Sequence, residues 1–350
     1  VRALELGVSV VVGAFEVIPK RALDVEVDSI FHVKAAGLNV LNVVDSWIDP
    51  DMLAELAEVG EWDLVLWPFQ TMREIEVLAP SRSTPGSGEL PAEWIEQLEI
   101  LQPKYVVPSS CQFLQESWSW YNHALFPISY RRFREEVERA LPQTRVVRMN
   151  PSVSVSLEKT PTGKTSLEAA SPLFWLRPIG DQDVDYQYLP ELAPPPTSEV
   201  AIRFPALTEA QTELVHDFCR SGLLAKFRSL EASDDPYFRQ LRHWRLAVYD
   251  HAGIVTRFHY ELNGAEVESS SDENASVDWA TEIPLFKLHS ALTDGEALSS
   301  LYLRIEGAAD FDVVEDPLVR CLFNGEFGAY QFAQLKRLKA TESRIDKIDS

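Results

Sequence analysis

Three short apolar runs with helix-like sequence between them constrain this chain more than any other feature. The first, Leu38-Asn39-Val40-Leu41-Asn42-Val43-Val44, ends at Asp45, where a strand would deliver a carboxylate to a sheet edge. Asp63-Leu64-Val65-Leu66-Trp67-Pro68 and Pro103-Lys104-Tyr105-Val106-Val107-Pro108 follow it in the chain. Strands alternating with helices argue for an α/β layer.

The flanking sequence fills in this frame. Residues 7–18 and 27–34 are rich in β-branched and aromatic side chains with partial alternation, which predicts strands. With 38–44 they make an antiparallel set, the turn Ala35-Ala36-Gly37 joining the last two. Pro50 sits where a first helical turn accepts it, behind Asp49 as a cap, and Gly60 stops that helix. Residues 79–89 are loop by composition, Pro91 opens a helix through Leu101, and 130–141 reads as a charged surface helix. The segments 144–148 and 152–157 are expected to close the sheet.

Between 158 and 198 the pattern gives way to Pro-rich, connector-like sequence. The expected organisation is therefore a first domain over 1–157, a linker over 158–198 and a mixed α+β domain over 199–340. In the last, 208–230 predicts a helix, 244–250 and 254–262 a hairpin around His251-Ala252-Gly253, and 277–283 a further strand. Helical signals return at 286–292 and 318–338.

Composition narrows the function classes. At 350 residues, with 45% apolar and 25% charged residues, the chain can bury a substantial core. A formal charge of -22 repels phosphate backbones and anionic lipid, so nucleic acid and membrane are not expected partners, and a small molecule is. Cys111, Cys219 and Cys321 are widely spaced and form no Cys-x-x-Cys pair, which fits a reducing compartment. No run approaches the roughly 20 apolar residues of a membrane span. These features together predict a cytoplasmic protein. Strand-like sequence begins within a few residues of Val1, as expected of a fragment lacking its N-terminal part or, alternatively, of a complete but unusual protein.

The ordered series Asp28-Ser29-Ile30-Phe31, Leu41-Asn42-Val43-Val44-Asp45, Trp62-Asp63-Leu64-Val65-Leu66 and Leu101 to Pro108 resembles successive strands of metallo-β-lactamase-fold hydrolases. The branch it is most similar to includes CMP-N-acetylneuraminate hydroxylase-like proteins, and the likeness covers roughly residues 5–155. The resemblance implies an α/β fold: the C-terminal part of an αββα sandwich, followed here by the α+β domain. It also implies a dinuclear zinc or iron centre built from a His-x-His-x-Asp-His motif, a later His, a bridging Asp and a final His, which makes hydroxide available from bound water. Asp45 matches the bridging Asp. The sequence contains no His-x-His-x-Asp-His, and the final Pro-x-His is replaced by Pro108-Ser109-Ser110-Cys111. The metal is therefore expected only if residues outside this chain complete the site, and the chain alone is expected to be inactive; a non-catalytic binding or scaffold protein is the alternative.

Ser110, Trp120, Asn122 and His123 are the candidate substrate-binding residues, the last three within an aromatic, Asn-containing loop that resembles one of the same branch. The same tryptophans would equally cover a sheet edge. Cys111 is a possible thiolate ligand or a small buried hydrophobe. His32 and His216 read as packed side chains, and His243, His251 and His259 recur on one hairpin without a carboxylate motif. Asp45 itself could merely cap or turn the chain. Glycine-rich phosphate loops and a Gly-x-Ser-x-Gly elbow are absent from the sequence.

Overall fold

The computed structural model describes residues 4–24, 28–110, 113–150, 153–171, 185–271, 276–307, 309–325 and 328–345. The chain is mixed α/β and divides into two compact units, Val1–Met72 with Gly86–Leu189, and Arg73–Pro85 with Pro190–Ser350.

The first unit is built on a seven-stranded sheet in which strand order follows chain order. Strands β1 (Val10–Val12), β2 (Phe15–Arg21), β3 (Ser29–Ala35) and β4 (Leu38–Asn42) are antiparallel neighbours. The β3–β4 turn is the expected one: Ala36 and Gly37 have φ of 50 and 77°, the paired left-handed residues that a two-residue hairpin needs. Helix α1 (Pro50–Ala57) starts as read from the sequence, with the Asp49 side chain accepting from the N–H groups of Asp51 and Met52. It leads to β5 (Leu64–Pro68), which pairs in parallel with β4. The short α2 (Glu74–Leu78) lies in the segment that clusters with the second unit. Helix α3 (Ala92–Leu101) then returns the chain to β6 (Tyr105–Ser109), and α4 (Tyr130–Ala140) to β7 (Arg145–Val146), both parallel additions.

Side-chain alternation sorts this sheet into two unlike faces. Ile30, His32, Leu41, Val65, Trp67 and Val106 share one face and are all buried. The opposite face, through Val17, Phe31, Val33, Val40 and Leu66, is half-buried, and its margin at Val12 and Phe15 is exposed.

Two expectations change here. The run 152–157 does not close the main sheet: β8 (Ser154–Lys159) pairs only with β9 (Thr165–Ala170), as a separate two-stranded sheet. The second half of that hairpin occupies sequence read as connector, and the two units part at Leu189/Pro190. Composition misled because Thr- and Ser-rich strands lack apolar alternation. What secures the hairpin is polar. Asp63, fully buried, accepts from the Asn39 N–H at 2.9 Å and from the Thr165 hydroxyl, while Lys104 and Lys159 place their Nζ atoms 3.0 and 3.4 Å from its oxygens.

The second unit has a five-stranded sheet in the order β12 (Glu266–Ser269), β11 (Val255–Asn263), β10 (Arg242–Tyr249), β13 (Trp279–Pro284), β14 (Arg304–Glu306). The predicted hairpin and its extension are all present, whereas β12 and β14 are too short to be read. Short α5 (Thr197–Ala201) precedes α6 (Glu209–Asp217), which opens with a Thr208/Gln211 capping box. A π-turn over Phe218–Gly222 follows, then α7 (Leu223–Ser229). In that turn the Leu223 N–H reaches back to the Phe218 carbonyl, and the Cys219 carbonyl accepts the Tyr260 hydroxyl at 2.7 Å. Helices α8 (Leu285–Thr293), α9 (Pro317–Phe323) and α10 (Ala329–Ile345) complete the unit. Asp316 caps α9 from full burial and also accepts from Trp279 Nε1 and the Thr281 hydroxyl; burial, only partly offset by these donors, pushes its carboxyl upward. Cys219 and Cys321 are buried free thiols. Among the described residues no helix is long and apolar enough to cross a membrane.

Burial works to raise the Asp63 carboxyl pKa, but the Thr165, Asn39 and Lys104 donors outweigh it and hold it below the usual carboxylate range. Asp63→Ala would leave two lysines without their buried counter-charge and is expected to cost roughly 3 kcal/mol, read as a lowered urea midpoint with early hydrogen exchange in β8 and β9. Because the folded value lies below the unfolded one, this contribution is present above about pH 4 and is lost as pH falls through the folded value. An Asp63→Ala midpoint equal to that of the parent would contradict it.

Candidate functional site at the carboxyl ends of the parallel strands

Strands β4, β5 and β6 run in parallel, so their carboxyl ends share one edge of the sheet. In open α/β sheets ligands sit beyond that edge. The chain leaves β4 through Val43 and Val44, whose N–H groups both donate to the Leu66 carbonyl, at 3.0 and 3.2 Å. Val44 is thereby held at φ 57°, a left-handed conformation that costs a β-branched residue about 1–2 kcal/mol. Backbone strain of this kind persists only where neighbouring contacts impose it, and it gathers at functional sites.

Asp45 follows directly. It is exposed, and no hydrogen bond or ion pair links its side chain to a described residue. Capping of α1 falls to Asp49 instead, at 3.0 Å from two backbone N–H groups. Strand β6 ends on a second left-handed residue, Ser110, at φ 66°. Asp45 and Ser110 therefore stand on the same edge, two strands or about 10 Å apart by strand spacing. Cys111 lies outside the described residues.

The aromatic loop turns its polar groups onto backbone. Asn122 accepts from the Gln115 N–H at 2.8 Å and donates to the Gln115 and Glu116 carbonyls at 3.3 and 3.0 Å. His123 Nδ1 lies 2.9 Å from the Gln187 carbonyl, a contact that requires the proton on Nδ1. Trp120 is buried and meets Tyr121 edge-on at 5.0 Å. This loop is stapled together by the side chains that sequence analysis assigned to a ligand.

Two structural residues of this edge were missed. Gln70, just past β5, accepts from the Ile128 N–H at 3.1 Å and donates to the Ile128 carbonyl, clamping the loop ahead of α4. Asp185 accepts from the Tyr130 and Arg131 N–H groups at 2.6 and 3.3 Å, and so closes the start of α4. Both lie in loops, where periodicity carries no signal.

The histidines are dispersed. His32 is buried against Trp62 with its Nε2 2.9 Å from Asn39 Oδ1, and burial lowers its pKa. His216 packs on Phe258, His243 faces Glu261 across the strands, and His259 faces Arg245. Among the described residues no three His, Cys, Asp or Glu side chains gather to hold a metal ion. The described residues alone do not supply the ligand set of a dinuclear centre.

No family profile and no curated protein sequence matches the chain. Solved structures match part of the chain at TM-scores of 0.18–0.29 and 14–17% identity, and they range from a β-hydroxylase and two metallo hydrolases to the MycE methyltransferase of the mycinamycin pathway. One is a variant of the CmlA β-hydroxylase, at 16% identity and a TM-score of 0.29, covering 41% of this chain and 31% of that one. Another is Igni18, a metallo hydrolase from Ignicoccus hospitalis, at 14% identity and a TM-score of 0.28, covering 48% of this chain and 60% of that one. A third is a zinc-dependent hydrolase of the metallo-β-lactamase superfamily from Thermotoga maritima, so described in its own right as a candidate, at 15% identity and a TM-score of 0.26, covering 43% and 72%. The matched part thus spans about a third of the first of these proteins and three fifths of the second.

The strain at Val44 is testable by comparison with its neighbour. Val44→Gly removes a left-handed β-branched residue and is expected to unfold within about 0.5 kcal/mol of the parent, because relief of strain offsets the added chain entropy. Val43→Gly empties a buried position and is expected to lose roughly 3 kcal/mol. Equal losses in urea denaturation would show that Val44 is not strained.

Proposed function

We propose that this chain is a metal-dependent-hydrolase-like protein of the metallo-β-lactamase fold that contributes one ligand carboxylate, Asp45, and is inactive as it stands. The supporting observation is the pairing of an exposed, unpartnered carboxylate with the strained residue that presents it at a parallel-strand end. A zinc or iron centre would form only when histidines absent from this sequence complete the set. One carboxylate cannot hold a catalytic ion, so no step of chemistry is assigned to the chain by itself.

The two-faced sheet supports the same reading. A half-buried apolar face through Val17, Phe31, Val33, Val40 and Leu66 is what one sheet of a β-sandwich offers to the other. Under this proposal the polypeptide is a fragment, and the ligand-bearing sheet belongs to sequence outside it. Ser110 and Trp120 would then border the pocket of a small-molecule substrate, with Asn122 and His123 holding the loop that forms its wall. The net charge of -22 and the buried free thiols favour a cytoplasmic protein that engages neither nucleic acid nor membrane.

A second reading is favoured by one observation: Asn122 and His123 are committed to backbone partners, as in a scaffold that keeps the fold without the chemistry. Metal analysis separates the two. The chain as given is expected to retain well under one equivalent of zinc or iron, unchanged in Asp45→Asn. A longer polypeptide carrying an upstream His-x-His-x-Asp-His segment is expected to hold about two, and to lose at least one in Asp45→Asn. Upstream sequence without that motif, or a longer chain whose metal content ignores Asp45, would overturn the hydrolase-like reading in favour of the scaffold.

A further inference from the structure

Asparagine precedes glycine twice in the sequence, at Asn263-Gly264 and at Asn324-Gly325. Such a pair is the one most open to loss of the side-chain amide, because a glycine has no Cβ to hinder attack of its backbone nitrogen on the asparagine side-chain carbonyl. Both asparagines are exposed, so a difference between the two sites has to come from how the fold holds the backbone.

The first pair is locked. Asn263 is the last residue of β11 and faces Glu266 of β12 across a two-residue turn, and the Gly264 N–H donates to the Phe238 carbonyl at 2.9 Å. The nitrogen that would attack is thereby committed to a hydrogen bond, and freeing it means opening the end of the hairpin.

The second pair is open. Asn324 closes α9 by donating its N–H to the Arg320 carbonyl at 2.9 Å, and its own backbone is extended, with φ −101° and ψ 156°. Among the described residues, neither the Asn324 carbonyl, nor the Gly325 N–H, nor the Asn324 side-chain amide has a hydrogen-bond partner. The peptide group between the two residues can therefore turn towards the side chain without breaking a bond to a described residue. Gly325 has φ 75°, and a Cβ there would stand 2.6 Å from Leu230 Cδ2, so the bulkier residues that would slow the attack do not fit. Lys226 Nζ lies 3.6 Å from the same point, which puts a cation beside the nitrogen that must become anionic.

We propose that Asn324 is a site of self-modification, converting to aspartate and isoaspartate without an enzyme. Hydroxide removes the Gly325 amide proton, the nitrogen bonds to Asn324 Cγ, and the Cγ–Nδ2 bond breaks, the amide leaving as ammonia with a proton taken from water. Water then opens the resulting five-membered imide at one of its two carbonyls. Opening at Cγ gives aspartate, and opening at the backbone carbonyl gives isoaspartate, whose main chain runs through the former side chain. Either product adds a negative charge to a cleft of about 570 Å³ that Asn324 lines together with Lys226, Glu231 and Arg320, and isoaspartate also lengthens the main chain by one methylene directly after α9. The assignment stands whatever the role of Asp45.

Incubation of the whole chain at mildly alkaline pH, with peptide mapping by mass spectrometry at intervals, tests it. The peptide carrying Asn324 is expected to gain the mass difference between amide and acid and to separate into two isomers, and the Asn263 peptide to do so at least ~10-fold more slowly. In concentrated urea, which unfolds both sites, the two are expected to convert at similar rates. The rate at Asn324 is expected to rise with pH through the neutral range, and conversion at this position to disappear in Asn324→Gln, whose cyclisation needs a six-membered ring. Conversion of Asn263 as fast as Asn324 in the folded chain, protection of Asn324 by folding to the same extent as Asn263, or a rate at Asn324 independent of pH would each overturn the assignment.

Discussion

A single buried carboxylate fixes the frame on which everything at the opposite sheet edge depends. Asp63 sits just before β5, takes the Asn39 N–H from the second residue of β4, and draws in Lys104 from just before β6. Three consecutive parallel strands are thereby tied at their amino ends by one charge-assisted network, and the β8–β9 hairpin is held to it through Thr165 and Lys159. Burying that charge is unfavourable on its own, and the donors around it determine that it stays ionised. A fixed register at one edge means fixed strand ends at the other. Val44 and Ser110 both take left-handed conformations on that far edge.

Much of the fold was legible because local chemistry and tertiary need agree. Ala36-Gly37 asks for a tight hairpin turn and Asp49-Pro50 for a helix start, and each is found where the sequence puts it. The apolar runs at 38–44, 63–67 and 104–107 could hardly be anything but core strands. Where polar contacts decide, the sequence is silent. The β8–β9 hairpin is held by a lysine and a threonine whose partner, Asp63, lies about 100 residues earlier, a separation that no periodicity argument can bridge. The same is true of Arg82, which donates to the Phe311 carbonyl and carries a loop segment into the second unit.

At the candidate site the division runs along the same line. Asp45 was identifiable because it ends an apolar run, and the structure gives that position a strained approach and an exposed carboxylate. Asn122 and His123 were chosen for their residue type, yet what a polar side chain does in a loop depends on which backbone groups the loop leaves unsatisfied. Here Gln115, Glu116 and Gln187 offer those groups, and the two side chains meet them.

The π-turn at Phe218–Gly222 bears on how this chain can change over time. Its widened loop frees the Cys219 carbonyl for the Tyr260 hydroxyl, and α7 continues from it with Leu223 and Phe227 buried. Deleting one residue there would restore a regular helix but rotate everything downstream by about 100°, carrying both apolar side chains off the interior and stranding the tyrosine. An inserted residue at such a place behaves as a ratchet: it is gained in one genetic event, and afterwards the surrounding packing prevents its simple reversal.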